Sequence, residues 1–480
     1  MESNSMSNNN SLVRSSLKNI SYTFIAQGIT LAISLIKALW IPKILGVEQF
    51  SYWQLFLFYS SYVGFFQFGL NDGIYLRYGG KRFSDLNKAV FRSQFWILVV
   101  SQFLLTIIII VFSEMFVKDD NRIIILIATS ACMVITGVSA FFWFTFQGTN
   151  RIKEYTLSLV IEKMIFVIIV LFFLILKITS FKYFIIADLV SRTCGLIFLI
   201  VIGKELIIGK CCSYRTALSE VISNISIGMK LMLANIASLL ILGVGRFTID
   251  YVWGVTAFGE FSLALSVVSM ILLFINAVSI VLFPALRRVP ADKLSEMYVS
   301  IRTVLMLILL GVLIAYTPMQ YILNIWLPEY ARSLKYLAIL FPILVFDGKM
   351  QMLIATYLKV LRKEGILLKI NIIAVIFSVV ACSFAAIVIK SMNFVIISMV
   401  IVVIVRCVIA ELYLSSKLRL SVMKILTSEI ILVIVFMASS WYLEGIFSLV
   451  VYFIAYLTFV YFSRQELSRT LRLLKRICAK

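Results

Sequence analysis

Long apolar runs, each crossed by a few polar residues at helical spacing, follow one another from Ile20 to Ser463 with short polar connections between them. A helix needs about 20 apolar residues to cross the hydrocarbon core, and on that measure the runs predict about fourteen membrane spans. They cover approximately 20–45, 51–77, 91–113, 122–147, 155–176 and 183–203, then 224–249, 257–286, 298–317, 333–360, 367–389, 394–414, 426–442 and 446–463. The expected fold class is an all-α polytopic membrane protein.

The polar interruptions are not scattered. In the first span Thr23, Gln27, Thr30, Ser34 and Lys37 recur every three or four residues, which on a helix makes one stripe. The connection that follows reads G-V-E-Q-F-S-Y-W-Q-L from Gly46, and the chain reads G-V-T-A-F-G-E-F-S-L from Gly254. Val47 matches Val255, Phe50 matches Phe258 and Leu55 matches Leu263, with Trp53 and Phe261 both aromatic. The same offset carries Gln27 to Asn235 and Thr30 to Ser238, and brings Lys37 within one residue of Arg246. A second anchor, Lys153-Glu154 against Lys363-Glu364, repeats at nearly the same spacing. The chain therefore reads as a duplication. Six spans per half is an even number, so both halves enter from one side and are parallel repeats related by a pseudo-twofold along the membrane normal. The expected organisation is an N-terminal tail (1–19), an N-lobe (20–203), a linker (204–223) and a C-lobe (224–414). An accessory pair of spans (415–463) and a basic amphipathic tail (464–480) follow.

Composition removes the soluble alternatives. With 62% hydrophobic and 14% charged residues and a mean hydropathy of +1.04, there are too few polar groups to cover a globular surface. A net charge of +21 would point to nucleic acid in a soluble protein. Here about 29 of the Lys and Arg residues fall beside the loops on the N-terminal side and about 8 on the other, the asymmetry of a protein with both termini in the cytoplasm. No nucleic-acid partner is expected. The chain has no His, and its seven Cys lie mostly within spans, so neither a metal centre nor a disulfide framework is indicated. No phosphate-binding G-x-x-x-x-G-K-[ST] loop occurs, and no cofactor is expected. The first apolar run is too long for a removable signal peptide and is expected to be retained.

A charge at the bilayer centre costs about 2.5–3.5 kcal/mol, so each one needs a partner, water or a ligand. Lys37 has no acidic residue one turn away and is expected to line a wet cavity with Gln27, Thr30 and Ser34. Arg246, with Asn235 and Ser238 on its face, is the expected counterpart, although Asp250 one turn on can pair with it. Span 2 carries Ser60, Gly64, Gln67 and Asn71 on one helical face and ends in Asp72 and Arg77, an expected interfacial pair or gate. Asp347 and Lys349, two residues apart, cannot share a face of an intact helix, and Pro342 is placed to kink the span and turn one of them to the cavity. Asp188 and Arg192 are expected to satisfy each other, and Glu162 and the adjacent Lys163 to point to opposite faces. Glu162 and Asp347 are candidates for a coupling proton.

Several segments resemble a known family. They are Asn19, Tyr22 and Gln27 in N-x-x-Y-x-x-x-x-Q spacing, the L-G-V-E-Q-F-S-Y-W loop, F-G-L-N-D-G-I-Y-L-R at the end of span 2, and R-F-T-I-D followed by F-G-E-F-S-L-A-L. Together they resemble bacterial polysaccharide flippases of the O-antigen (Wzx) type, in the multidrug/oligosaccharidyl-lipid/polysaccharide exporter superfamily. The resemblance implies two six-helix lobes around a V-shaped cavity and a substrate of undecaprenyl-pyrophosphate-linked oligosaccharide. It also implies the bacterial inner membrane as location, with a polysaccharide polymerase and a chain-length regulator as partners. The chemistry of the residues agrees: Lys37, Arg246 and Lys349 suit a pyrophosphate, and the hydroxyl and amide stripes suit a glycan. No covalent step is required, so the expectation is a transporter and not an enzyme. The alternatives are a multidrug extrusion antiporter of the same fold and a lipid II or teichoic-type flippase.

Overall fold

The computed structural model describes the backbone of residues 2–287, 290, 293–443 and 445–478, and among these the side chains of 28, 30, 33–273, 275, 282, 286, 290, 293–443 and 445–464. The described residues form helices and loops, with no strand among them. Two compact units divide at Ile236/Ala237.

Unit 1 holds α1 (Glu2–Ser60), α2 (Leu70–Tyr78), α3 (Lys88–Phe116), α4 (Asp120–Gly148), α5 (Ile152–Ile175), α6 (Phe181–Ile202) and the beginning of α7 (Tyr214–Arg287). Its core near α2 is aromatic, with Phe91 and Phe95 of α3 meeting Phe141, Phe142 and Phe146 of α4, and Val221 of α7 closing it. Away from that core α3 leaves Val100, Phe103, Leu104, Ile107, Ile108 and Val111 at least half exposed. A row of bare aliphatic and aromatic side chains on one helix is a surface made for lipid, not water.

The remainder of α7 opens unit 2. It continues with α8 (Leu294–Val312), α9 (Tyr316–Trp326), α10 (Ala331–Leu340), α11 (Pro342–Lys349), α12 (Ala355–Val360), α13 (Glu364–Phe384), α14 (Met392–Leu418), α15 (Met423–Tyr442) and α16 (Ile446–Cys478). The last two helices pack on α8 and α10. Phe436 of α15 lies between Phe341 (6.2 Å between centroids) and Tyr452 (5.2 Å). The hydroxyls of Tyr452 and Tyr456 on α16 donate to the carbonyls of Leu310 and Leu307 at 2.8 and 3.0 Å. Tyr452 is buried and Tyr456 half-buried, and each phenol still finds an acceptor.

Among the described residues ten helices are long and apolar enough to cross a membrane, or eleven if the bent pair Pro328–Leu340 and Pro342–Val360 counts as one span. The protein is multi-pass. That pair meets at 46°, the kink expected at Pro342, whose ring cannot accept a continuing helix beneath it. The chain then widens into a π turn at Met350–Ile354.

The duplicated loop is visible in the backbone. Gly46 interrupts α1 at φ 68°, ψ 175°, and Gly254 interrupts α7 at φ 83°, ψ 177°. This region is almost exclusive to glycine, so the same sharp bend is built from the same residue at matching positions. Span 2 departs from expectation. Its helix stops at Ser60, and the segment up to Gly69 includes Phe68 and Gly69 at positive φ before α2 resumes. The stripe Ser60–Gly64–Gln67–Asn71 is therefore not a continuous helical face. Backbone freed in a membrane must bond elsewhere, and Gln102 of α3 donates to the Phe66 carbonyl at 2.8 Å. Hydropathy reads straight through this break because its residues are as apolar as their neighbours.

Candidate functional site

In unit 1 four helices bring charges together. Lys37 of α1 places its Nζ 3.4 Å from Asp188 Oδ1 on α6. Arg192, one turn further along α6, holds the other oxygen at 2.6 Å through Nε and donates to Thr136 Oγ1 of α4 at 3.4 Å. The Lys37 ammonium also lies 4.0 Å from the centroid of the Phe166 ring on α5, a favourable position over the negative π face. Asp188 is 2% exposed while Lys37 is 22% exposed, so the carboxylate sits behind and the ammonium in front. Two cations draw on one carboxylate, and the closer contact goes to Arg192.

The i,i+4 contact of Asp188 with Arg192 is as expected. The carboxylate for Lys37 comes from a helix 151 residues away, which its own neighbourhood does not contain. Glu162 and Lys163 correct an expectation: adjacent on α5 and expected on opposite faces, they form an ion pair at 2.8 Å. Neighbouring residues diverge by about 100° at the backbone, but the long lysine arm folds back across that angle. The Ser34 hydroxyl donates to the Thr30 carbonyl at 2.8 Å, so part of the polar stripe serves its own helix. Thr23 and Gln27 lie outside the described side chains, and Asn235 is exposed.

Unit 2 has a related arrangement centred on a residue the sequence reading did not single out. Arg406 of α14 donates to Asn371 of α13 at 3.0 Å, Asp347 of α11 at 3.2 Å and Ser238 of α7 at 3.1 Å. Arg192 with Thr136 and Arg406 with Asp347 stand at nearly the offset of the loop repeat, so each unit has an arginine on its sixth span bonded to its fourth. The available signal was an arginine in the middle of an apolar run. Arg246 donates to Ser262 Oγ at 3.1 Å, and its guanidinium lies 5.0 Å from the Phe258 ring. Asp250, one turn on, is buried.

Lys349 does not line a cavity. It is fully buried between Glu411 of α14 and Glu429 of α15, 2.7 Å from the latter, and Arg302 of α8 contacts the same two carboxylates. Two cations and two anions form a closed neutral network that is almost unexposed. The expected separation of Asp347 and Lys349 holds, with Asp347 turned to Arg406 and Lys349 to the glutamates.

Asp72 and Arg77 are not joined as a pair. Five residues apart, they diverge by about 140° on α2. Asp72 sits in the first turn of α2, and Arg77 in the last turn reaches Glu220 at 2.8 Å and Asn224 at 2.7 Å, both on the start of α7. Asn224 donates in turn to Gln94 of α3 at 3.0 Å. Beside this network α2 and α7 touch backbone to backbone: a Cβ on Gly69, Gly73 or Gly228 would overlap the opposing main chain.

A family described as polysaccharide biosynthesis protein matches residues 16–290, more than half of the chain. The chain belongs to this family. Among solved structures, an inward-facing multidrug resistance MATE family transporter of the MOP superfamily matches this polysaccharide biosynthesis protein with a TM-score of 0.62 at 14% identity. It covers 82% of this chain and 94% of that one. The lipid II flippase MurJ in an inward closed conformation also has a TM-score of 0.62 at 14% identity, over 94% of this chain and 99% of that one. At such identity the likeness is one of fold, and this member of the polysaccharide biosynthesis family has the fold those proteins share. No curated protein matches the sequence.

Proposed function

We infer that this protein is a flippase that moves an undecaprenyl-pyrophosphate-linked oligosaccharide, the repeat unit of an O-antigen or another surface polysaccharide, across the bacterial inner membrane by alternating access. The observation that carries this reading is the sharing of Asp188 by Lys37 and Arg192. With Glu162 and Lys163 beside them, three cations face two carboxylates in the membrane; all three cations are partly exposed, and Lys37 is the one held at the longest distance from its carboxylate. An excess positive charge there favours an anionic cargo over the cationic compounds of a drug antiporter. A pyrophosphate can take the Lys37 ammonium from Asp188 while Arg192 keeps that carboxylate neutralised.

The family supports a role in polysaccharide assembly, and the cargo would pass to a polymerase and a chain-length regulator. Adding α1, which is not among the ten and is divided at Gly46 into two, dividing α7 at Gly254 and counting the bent pair as one would give fourteen spans, and the Lys and Arg distribution supports both termini in the cytoplasm. Arg77 with Glu220, supported by Asn224, is the gate candidate that survives of the Asp72–Arg77 proposal. Arg246, Ser238 and Asp347 remain candidate residues of the second half.

The test is export of surface glycan in a strain complemented with variants. Lys37→Ala should cut export at least tenfold at unchanged membrane abundance, with Lys37→Arg retaining most of it. Normal export by the alanine variant removes Lys37 from the substrate site.

A further inference from the structure

A cavity of about 880 Å³ opens in unit 2 where α9, the ends of the α15–α16 hairpin and α10 meet. Its volume falls in the range of about 300–1,000 Å³ typical of small-molecule sites. Tyr316, Gln320 and Asn324 line it at i, i+4 spacing, so one face of α9 forms a wall. Tyr321 and Trp441 add aromatic surface, and Lys335 is the one cation among the described lining residues. No described lining residue is acidic. Tyr316 is 2% exposed, and among the described residues its hydroxyl has no hydrogen-bond partner. Gln320, Asn324 and Lys335 likewise make none.

We propose that this cavity is a second glycan site, which holds sugar residues of the cargo on the extracytoplasmic side. Two amides, each both donor and acceptor, suit a ligand whose hydroxyls are also both. The aromatic rings offer apolar faces for the C–H surfaces of sugar rings. The Lys335 ammonium accommodates an acidic sugar or a phosphate substituent. Trp and Tyr also collect at membrane interfaces as anchors, but anchors turn outward to the headgroups. Tyr316 is enclosed and lines the cavity, and the amides are drawn up on the same face. The proposal rests on the flippase reading for the identity of the glycan, and on the placement of the hairpin loop outside the cytoplasm.

The test uses the full-length protein in nanodiscs of neutral phospholipid. The probe is the oligosaccharide released by mild acid from the host's own surface polysaccharide, with binding read by titration calorimetry. Saturable binding is expected, at least tenfold weaker in Gln320→Ala/Asn324→Ala and in Trp441→Ala, and largely restored in Trp441→Phe. Absent binding, equal binding by all variants, or complete displacement by anionic phospholipid would each overturn the proposal, the last by making the cavity a headgroup site. Glycan export measured in parallel separates the two readings: normal export without probe binding removes this site alone. Probe binding in a protein that exports no lipid-linked glycan removes the flippase reading and leaves the site.

Discussion

Lys37 and Lys349 are both lysines in apolar runs, yet they do opposite things. Lys37 is 22% exposed and meets one shared carboxylate at 3.4 Å. Lys349 is 0% exposed and meets two carboxylates, which in turn bind Arg302. Removing one member of a buried charge network strands the others, at a typical cost of about 3–5 kcal/mol, whereas a balanced replacement restores much of the loss. Lys349→Met is therefore expected to lower membrane abundance and thermal stability in detergent sharply. Adding Glu429→Gln to it should recover a large part. A Lys349→Met protein as stable as the natural one would show that the network contributes little. Neither environment was legible from the residues alone, because the partners of Lys349 are 62 and 80 positions away. The cost of burying a charge says that a partner exists; it does not say which one.

At the scale of elements, the glycines carry the most readable information. Gly46 and Gly254 were aligned from sequence, and both adopt the same glycine-only backbone conformation. A side chain there is strained whatever space surrounds it, and Gly254 has open space around it. Gly46→Ala and Gly254→Ala should each cost about 1–3 kcal/mol from backbone strain alone, measured as a fall in the unfolding midpoint. Gly64→Ala, where a Cβ meets nothing within 4 Å, is the neutral control. Equal midpoints for all three would mean the bends relax without cost. The break of span 2 was not readable in this way. It depends on Gln102 reaching the Phe66 carbonyl from α3, and hydropathy does not record where a carbonyl finds its donor.

At the scale of the whole molecule, the distribution of Lys and Arg predicts an orientation, and the chain contains its own reporter of it. Cys211 is exposed in the linker expected to be cytoplasmic. A membrane-impermeant maleimide should leave it unlabelled in intact cells and label it in inverted vesicles, with Cys211→Ser lowering the vesicle signal. Labelling in intact cells would reverse the topology. By itself the sequence determined the membrane class, the all-helical character and the pairing of Gly46 with Gly254, since all of these are local: they depend on hydropathy, spacing and backbone freedom within one stretch of chain. Only the tertiary structure decided which charges are exposed and which are enclosed. It assigned Asp188 to both Lys37 and Arg192, put Arg406 at the centre of the second cluster, and locked Lys349 away. Electrostatic pairing in a medium of low dielectric is a matter of distance in space, and helices far apart in sequence settle that distance when they pack.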